Sequence, residues 1–320
     1  MKAIIITAPT ATGKTRLAVQ LARLFNGEII SADSRQVYRG LDYGTGKDLD
    51  EYEESGNPVP YHIIDVVHPN DEYSLFQWRE DYLKAFKDIT SRNKLPIICG
   101  GTPLYLDMLL RDYELAGDKR DKAQEEELLK KSLDELTKIL KDKSSVVYGK
   151  TDLTQKERVI RGIQIAESQD SKPLEALPEV DFLVLGPYWH RKIVHKRIES
   201  RLEARWLPMI DECERLLAEG VSHERLQWFG LEYRAISRFL LGEISKEQAF
   251  EELLIRIRKF AKRQDIWFRK IEKSGTDIHW IDGEDKLPEA ENLVENFLAG
   301  DSLPTPEIKI SEITYGPRTQ

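Results

Sequence analysis

Cysteine is scarce in this sequence, which has only Cys99 and Cys213 among its 320 residues. With so few thiols, a disulfide-stapled scaffold or a cysteine-based zinc site is not expected, and a reducing cytoplasm is the predicted compartment. The six histidines show no metal-like spacing. No apolar run approaches the roughly 18 residues that span a membrane, and the N-terminal residues lack the cleavage pattern of a signal peptide. The sequence therefore predicts a cytoplasmic protein with no membrane partner.

Basic residues are fewer than acidic ones, which gives a formal net charge of −8. A protein that binds nucleic acid through bulk electrostatic attraction is usually basic, so this balance argues against a nonspecific binder. The net charge does not exclude a basic patch on one face of the protein. The hydrophobic share of 40 % and charged share of 32 % are typical of a globular chain with a sizeable core.

Short apolar runs alternate with segments of helical periodicity, which predicts a three-layer α/β fold with a parallel sheet. The predicted strands cover residues 3–6, 27–33, 61–67, 95–102 and 181–187. Ligand sites in such sheets lie at the carboxyl ends of the strands. Asp33, Ser34 and Thr102 fall at those ends.

A change in composition predicts two parts in the chain. A Lys- and Glu-rich stretch without strand signals predicts a helical insertion over 114–176, within a core formed by 1–113 and 177–320. A long helix is expected from 190 to 220, kinked or broken at Pro208. Another begins at Ser245 and Gln248, which form a capping-box pattern. Residues after 301 are expected to be poorly ordered.

The segment "APTATGKT", residues 8–15, lies between a predicted strand and a predicted helix. Strand, loop and helix in that order are typical of a phosphate-binding loop (P-loop), in which N–H groups at the helix start hold phosphate oxygens. Lys14 would supply positive charge, and the hydroxyl of Thr15 would bind Mg²⁺. Ala8 occupies the position of the usual first glycine. The alternative is a chance Gly-Lys-Thr before an ordinary helix.

A second signal is the polar, glycine-rich stretch 31–48, which follows the second predicted strand. Its Asp33 has three readings from spacing alone: a metal-linked carboxylate, a general base, or a helix cap. The composition of the whole stretch indicates a small-ligand site.

Several segments in this order resemble the tRNA dimethylallyltransferases, also called tRNA isopentenyltransferases. They are "APTATGKT", "GEIISADSRQVYRGLDYGTGK", "YHIIDV", "YSLFQWRED", "LPIICGGTPLY" and "AKRQDIWFRK". The resemblance runs from residue 3 to about residue 282. It implies a P-loop NTPase-like core with an inserted helical subdomain and C-terminal helices.

The resemblance also implies the activity: transfer of the dimethylallyl group of dimethylallyl diphosphate to N6 of the adenine 3′-adjacent to the tRNA anticodon. It implies catalytic roles for Lys14, Thr15, Asp33 and Arg201, with Asp33 as general base and Thr15 as the Mg²⁺ ligand. A monomer is expected. The implied diphosphate-binding residues are Ala8, Pro9, Thr10, Ala11, Thr12, Gly13, Lys14 and Thr15.

The implied tRNA contacts come from several segments, and one of them, 262–269, carries cations beside aromatic rings, a composition suited to phosphates and bases. They are Asp33, Ser34, Arg35, Gln36, Thr102, Glu157, Arg158, Arg161, Gly230, Lys262, Arg263, Gln264, Trp267 and Arg269. After Gly230, the chain has Leu231 and Glu232 where a tyrosine and a basic residue are common in the family. Gly46 likewise stands where alanine is common.

Three alternatives remain open at this stage. The same chemistry can use a free adenine nucleotide as acceptor, as in the cytokinin-forming relatives. A P-loop kinase of small molecules would share the loop but leaves "SADSRQVYRG" unexplained. A noncatalytic RNA-binding relative is favoured only by the altered residues after Gly230.

Overall fold

The protein is built on a six-stranded, all-parallel sheet in the order β3-β2-β4-β1-β5-β6. The structure, a computed structural model, describes residues 1–111, 122–167, 175–284 and 286–313. The strands are β1 (Lys2–Ile6), β2 (Gly27–Ser31), β3 (Tyr61–His62), β4 (Leu95–Cys99), β5 (Asp181–Tyr188) and β6 (His279–Asp282). The predicted α/β fold with a parallel sheet is confirmed.

The three central strands are buried on both faces. Every residue of β2 and β4 is buried, and so are all residues of β1 after Lys2. Successive side chains of a strand point to opposite faces, so continuous burial requires helices on both sides. The apolar runs "AIII" and "PIIC" are the sequence signature of this arrangement.

The helices of the described residues are α1 (Lys14–Leu24), α2 (Leu49–Glu53), α3 (Leu75–Ser91), α4 (Pro103–Arg111), α5 (Lys122–Leu129), α6 (Leu133–Lys143), α7 (Ser145–Lys150), α8 (Lys156–Glu167), α9 (Arg191–Ala218), α10 (His223–Phe229), α11 (Leu231–Leu240), α12 (Lys246–Lys273) and α13 (Lys286–Ala299). The predicted capping box is confirmed at the start of α12, where Ser245 and Gln248 bond reciprocally. Helix α9 continues through Pro208, so the predicted break there is absent. Within the described ranges no helix is long and apolar enough to cross a membrane.

The chain divides into two compact units. The first contains the sheet. The second comprises Ser74–Gln77 and residues 112–177, of which 122–167 and 175–177 are described. Helices α5 to α8 of this unit bury their own apolar cluster around Leu136, Leu140 and Ile163. The ends of the predicted insertion, near 114 and 176, lie in or beside stretches outside the described residues.

Three local predictions are wrong. The third strand stops at His62, because Ile63 and Asp65 take left-handed φ values of 63° and 57°. The sixth strand, β6, was missed, since it is short and contains His279 and Asp282. Residues 301–313 are packed rather than loose, because Ile310 is 2 % exposed and its N–H donates to the Glu272 carboxylate. Residues 314–320 lie outside the described part.

Candidate active site

The phosphate loop joins β1 to α1 at the carboxyl edge of the sheet. Its left-handed residues are Ala11, with φ 62°, and Gly13, with φ 90°, which is the N-cap of α1. Ala8 is fully buried and does not have a positive φ. An L-residue is therefore accommodated at Ala8 without left-handed strain, and glycine is not required there.

Side chains from distant elements hold this loop in place. Gln264 on α12 accepts from the Thr10 N–H at 2.9 Å and donates to the Gly101 carbonyl at 2.8 Å. Arg197 on α9 donates to the Ala11 carbonyl at 2.7 Å. The Trp189 indole donates to the carbonyl of Thr12 at 3.0 Å. Four backbone groups of the site are thus tied to the C-terminal half of the chain.

Gln264 has a structural role that its implied part in RNA binding does not describe. It is 4 % exposed, and both ends of its amide are bonded within the protein. Gln264 therefore positions the phosphate loop against Gly101, and its contact with RNA stays a prediction. Its place in the "KRQDIWFR" segment gave no sign of this, because the bond partners are more than 150 residues away.

Lys14 is directed back over the loop, and its Nζ donates to the Pro9 carbonyl at 3.1 Å. Burial lowers the pKa of Lys14, and Asp33, Arg201 and Asp48 are near enough to act on it electrostatically. The first N–H groups of α1 have no partner within the helix. Lys14 and these amides together form a compact positive site, with Thr15 in the first turn of α1.

The ends of β2 and β4 bring Asp33, Ser34 and Thr102 together, as predicted from the strand positions. The Ser34 N–H donates to Thr102 Oγ1 at 3.1 Å. The Arg35 N–H donates to Asp33 Oδ1 at 2.9 Å, which fixes the carboxylate beside the strand end. Gln36 connects this edge to the next loop, because its Nε2 donates to the Gly46 carbonyl at 3.1 Å.

The loop 40–48 is held rigid by two buried charged residues that the sequence did not single out. Glu212 on α9 accepts from the N–H groups of Asp42 at 2.6 Å and Tyr43 at 2.8 Å, and from the Tyr233 hydroxyl at 2.7 Å. Lys47 is fully buried and pairs with Asp42 at 2.6 Å and with Asp65. These contacts make the loop a fixed wall of the site.

Arg201 reaches the same wall together with a second arginine. Arg201 bonds Asp48 at 3.2 Å, and Arg205, one helical turn later, also bonds Asp48. A Cβ on Gly46 would lie 2.0 Å from Arg201 Nη2, and the φ of Gly46 is 64°. Glycine at 46 therefore lets the two guanidinium groups approach the loop.

These elements enclose a cavity of about 70 Å³. Its lining combines polar groups from the phosphate loop, α9 and α11 with apolar side chains. The polar and loop residues include Thr10, Ala11, Gly46, Arg201, Arg205 and Glu232, and the apolar side chains are Ile198, Leu202, Met209 and Ile257. Such a lining suits a small molecule with an anionic head and an apolar tail.

An arginine–tryptophan cluster, Arg35, Arg225 and Trp228, adjoins the Asp33 edge. The guanidinium carbons of Arg35 and Arg225 lie 4.3 Å and 4.2 Å from the centre of the Trp228 ring. Arg225 Nε is anchored on the Pro69 carbonyl at 2.6 Å. Trp228 is 44 % exposed, although it is one of the largest apolar side chains. The sequence did not predict this cluster, since it joins residues some 190 positions apart.

The remaining predicted RNA contacts fall into two groups. Lys262, Arg263, Trp267 and Arg269 lie on α12, where Trp267 is 37 % exposed with Lys270 over its ring. Arg269 uses some of its donors within the protein, because it bonds Asp265 at 2.9 Å and the Ile313 carbonyl.

The other group, Glu157, Arg158 and Arg161, lies on α8 of the second unit. Arg158 pairs there with Asp152 at 2.9 Å. Gly230, with φ 134°, is the N-cap of α11 in the first unit.

One cluster of metal-ligating types occurs in the described ranges: Glu28, His62 and Asp88. It is already neutralised, because Glu28 accepts from His62 at 2.8 Å and pairs with Arg92 and Lys94. Hydrogen bonds from Arg92 hold the pKa of Glu28 at about 2. The cluster is a structural ion-pair network near the start of β2, away from the phosphate loop.

Comparison with known proteins gives a consistent result. A family profile described as "IPP transferase" matches residues 36–271, and one described as "Isopentenyl transferase" matches residues 1–58. A "tRNA dimethylallyltransferase 2" of Shewanella sediminis is 48 % identical over 283 residues, covering 88 % of this chain and 93 % of the relative.

Solved structures are similar along almost the whole chain. The tRNA isopentenylpyrophosphate transferase of Bacillus halodurans aligns with a TM-score of 0.66 at 28 % identity, covering 93 % of this chain and 96 % of that one. A eukaryotic dimethylallyltransferase acting on tRNA aligns with a TM-score of 0.79 at 25 % identity, covering 96 % and 81 %. The resemblance seen in the motifs is confirmed, and the chain belongs to the IPP transferase family.

Proposed function

We propose that this protein transfers the dimethylallyl group of dimethylallyl diphosphate to N6 of the adenine 3′-adjacent to the anticodon of a tRNA, with release of diphosphate. The observation that carries this proposal is the convergence of the phosphate loop, Arg201 and Arg205 on a cavity that apolar side chains also line. The names of its relatives support the same reaction. Action as a monomer and a cytoplasmic location are part of the proposal.

The donor half of the reaction depends on stabilising the leaving group. An allylic diphosphate ionises readily when its negative charge is held by fixed donors. Here the free N–H groups of α1, Lys14 and the guanidinium of Arg201 would hold it. The apolar residues Leu202 and Met209 would contain the dimethylallyl tail and exclude water from the electrophilic carbon.

Mg²⁺ is the proposed cofactor of this half. Magnesium is commonly bound through substrate phosphates, water and few protein ligands. The hydroxyl of Thr15, in the first turn of α1, is available as such a ligand, since no hydrogen bond ties it elsewhere in the described structure. When bound, the ion would neutralise part of the diphosphate charge.

The acceptor half depends on Asp33. An adenine amino group is a weak nucleophile until its proton is removed during attack. One oxygen of Asp33 is held by the Arg35 N–H, which leaves the other to accept that proton. The new N6–carbon bond forms as the carbon–oxygen bond to diphosphate breaks. An unpaired loop base reaches such a site at lower cost than a base within a duplex.

A transfer assay tests the proposal. Labelled dimethylallyl diphosphate and Mg²⁺ are offered with unmodified tRNA that has adenine after the anticodon, beside AMP, ADP and ATP in separate reactions. We expect label on the tRNA adenine. Label only on free nucleotides would overturn the RNA acceptor, and phosphorylated product without transfer would indicate a kinase.

The arginine–tryptophan cluster is expected to contribute to RNA binding. Stacking of a base on an aromatic side chain contributes about 1–3 kcal/mol, so Trp228→Ala should raise the KM for tRNA by roughly 5- to 150-fold. The KM for dimethylallyl diphosphate should stay within about twofold. Trp228→Phe should retain part of the affinity. Equal loss in both KM values would instead indicate a packing role for Trp228.

A further inference from the structure

Glu232 is a carboxyl group inside the donor cavity. It lies in the first turn of α11, two residues after the N-cap Gly230. The cavity that it lines also contains Thr10 and Ala11 of the phosphate loop and the two arginines of α9. An acidic side chain therefore lines the same cavity as two residues of the phosphate loop.

The two cationic side chains that line this cavity already have a carboxylate partner. Arg201 and Arg205 both bond Asp48. Within the described ranges, no hydrogen bond or ion pair joins the Glu232 carboxylate to another side chain. Burial raises the pKa of Glu232 to about 7, although a hydrogen bond from its own N–H and the charges of Arg201 and Arg205 act against this shift. In the part of the chain that the structure describes, ionised Glu232 therefore has a backbone N–H as partner but no side-chain cation paired with it.

Entry of a diphosphate makes an ionised Glu232 less favourable still. Like charges in a partly desolvated site repel by several kcal/mol at close range, whereas a neutral carboxyl donates a hydrogen bond to a phosphate oxygen. The site can therefore accept its anion only if Glu232 is neutral or is paired by an added cation.

We propose that Glu232 binds the diphosphate of the donor as a neutral carboxylic acid, donating a hydrogen bond to a phosphate oxygen and taking up a proton from solvent as the substrate binds. This inference rests on the proposed function of the cavity as the dimethylallyl diphosphate site. It makes Glu232 a direct substrate contact at a position where a basic residue is common in the family.

The pH dependence follows from linkage. Because anion binding favours the protonated carboxyl, donor affinity is greatest below the pKa of free Glu232 and falls as pH rises above it. The fall approaches tenfold per pH unit, about 1.4 kcal/mol, until the higher pKa of the complex is reached.

Other groups facing the cavity also influence the pH profile. Arg201 and Arg205 from α9 and Tyr43 from the loop line it, Asp33 acts on Glu232 electrostatically, and Asp48 pairs with both arginines. The substrate diphosphate titrates as well. All of these are unchanged in Glu232→Gln, so the ratio of wild-type to variant affinity isolates Glu232.

The experiment measures binding of inorganic diphosphate, with Mg²⁺, to the full-length wild type and to Glu232→Gln between pH 6 and pH 9. The amide keeps a donor but does not titrate. We expect similar affinities near pH 6 and a wild-type affinity that falls relative to the variant by roughly five- to tenfold per unit above pH 7. Calorimetry in buffers of different ionisation enthalpy should show additional proton uptake by the wild type alone.

Two further variants complete the test. Glu232→Ala removes the donor and should bind diphosphate several-fold more weakly than Glu232→Gln at pH 6. Glu224→Gln changes an exposed acid in the first turn of α10 and should leave the profile unchanged.

A pH-independent ratio would overturn the inference, and so would a raised Mg²⁺ requirement in Glu232→Gln, which would make the carboxylate a metal ligand. Failure of the wild type to bind diphosphate or turn over dimethylallyl diphosphate at any pH would instead contradict the proposed function.

Discussion

Asp33→Asn is expected to lower kcat by about 10²- to 10⁴-fold, the usual contribution of a positioned general base. The asparagine keeps an oxygen for the Arg35 N–H, so the strand end should retain its geometry. It cannot accept the N6 proton. The KM for dimethylallyl diphosphate should change by no more than a few-fold, because the proposal assigns the diphosphate to the phosphate loop rather than to Asp33. Steady-state kinetics with saturating tRNA measures the effect.

A matched control separates chemistry from structure. Asp211→Asn changes an exposed carboxylate on α9 and should leave kcat unchanged. Thermal unfolding of Asp33→Asn should match that of the wild type. A variant with wild-type kcat would contradict the general-base role of Asp33.

The parts of this fold that the sequence predicts are those encoded by neighbouring residues. The continuous apolar runs of β1, β2 and β4 predict buried parallel strands, and the Gly13-Lys14-Thr15 turn predicts the loop after β1. Parallel strands present their carboxyl ends at one edge. This rule is enough to predict that Asp33, Ser34 and Thr102 lie close together.

The hydrogen bonds that hold the loops of the site in place instead join residues that are far apart in the sequence. Gln264 and Arg197 reach the phosphate loop from 186 or more residues away, and Glu212 reaches Asp42 across 170 residues. No periodicity or motif connects such pairs. A buried glutamine and a buried glutamate look like solvated helix residues in sequence, because most of their partners are backbone N–H and C=O groups that carry no sequence signal.

Gly46 is a second example of a residue whose role could not be predicted from neighbouring sequence. In sequence it is a departure from the family's common alanine. In the structure its φ of 64° favours glycine, because an L side chain rarely adopts that backbone conformation, and the Arg201 guanidinium occupies the space where a Cβ would lie. The meaning of the residue depends on a helix far along the chain, so it could not be inferred from the loop alone.

Arg201→Ala has the second large expected effect. Loss of one fixed donor to a developing negative charge typically lowers kcat by about 10²- to 10³-fold, and Arg201 is held for that role by Asp48. Arg201→Lys should recover only part of the rate, because an ammonium lacks the planar fork of donors. Single-turnover measurement of transfer to tRNA reports this step directly.

Because Arg205 is also present, a slower transfer step can be distinguished from weaker diphosphate binding. Arg205 shares Asp48, so Arg201→Ala leaves a cation at the cavity and should weaken diphosphate binding less than it slows transfer. Lys196→Ala, on the exposed side of α9, is the control for helix stability. If Arg201→Ala raised only the KM for tRNA, the guanidinium would belong to the RNA side, and leaving-group stabilisation would rest on Lys14 and the amides of α1.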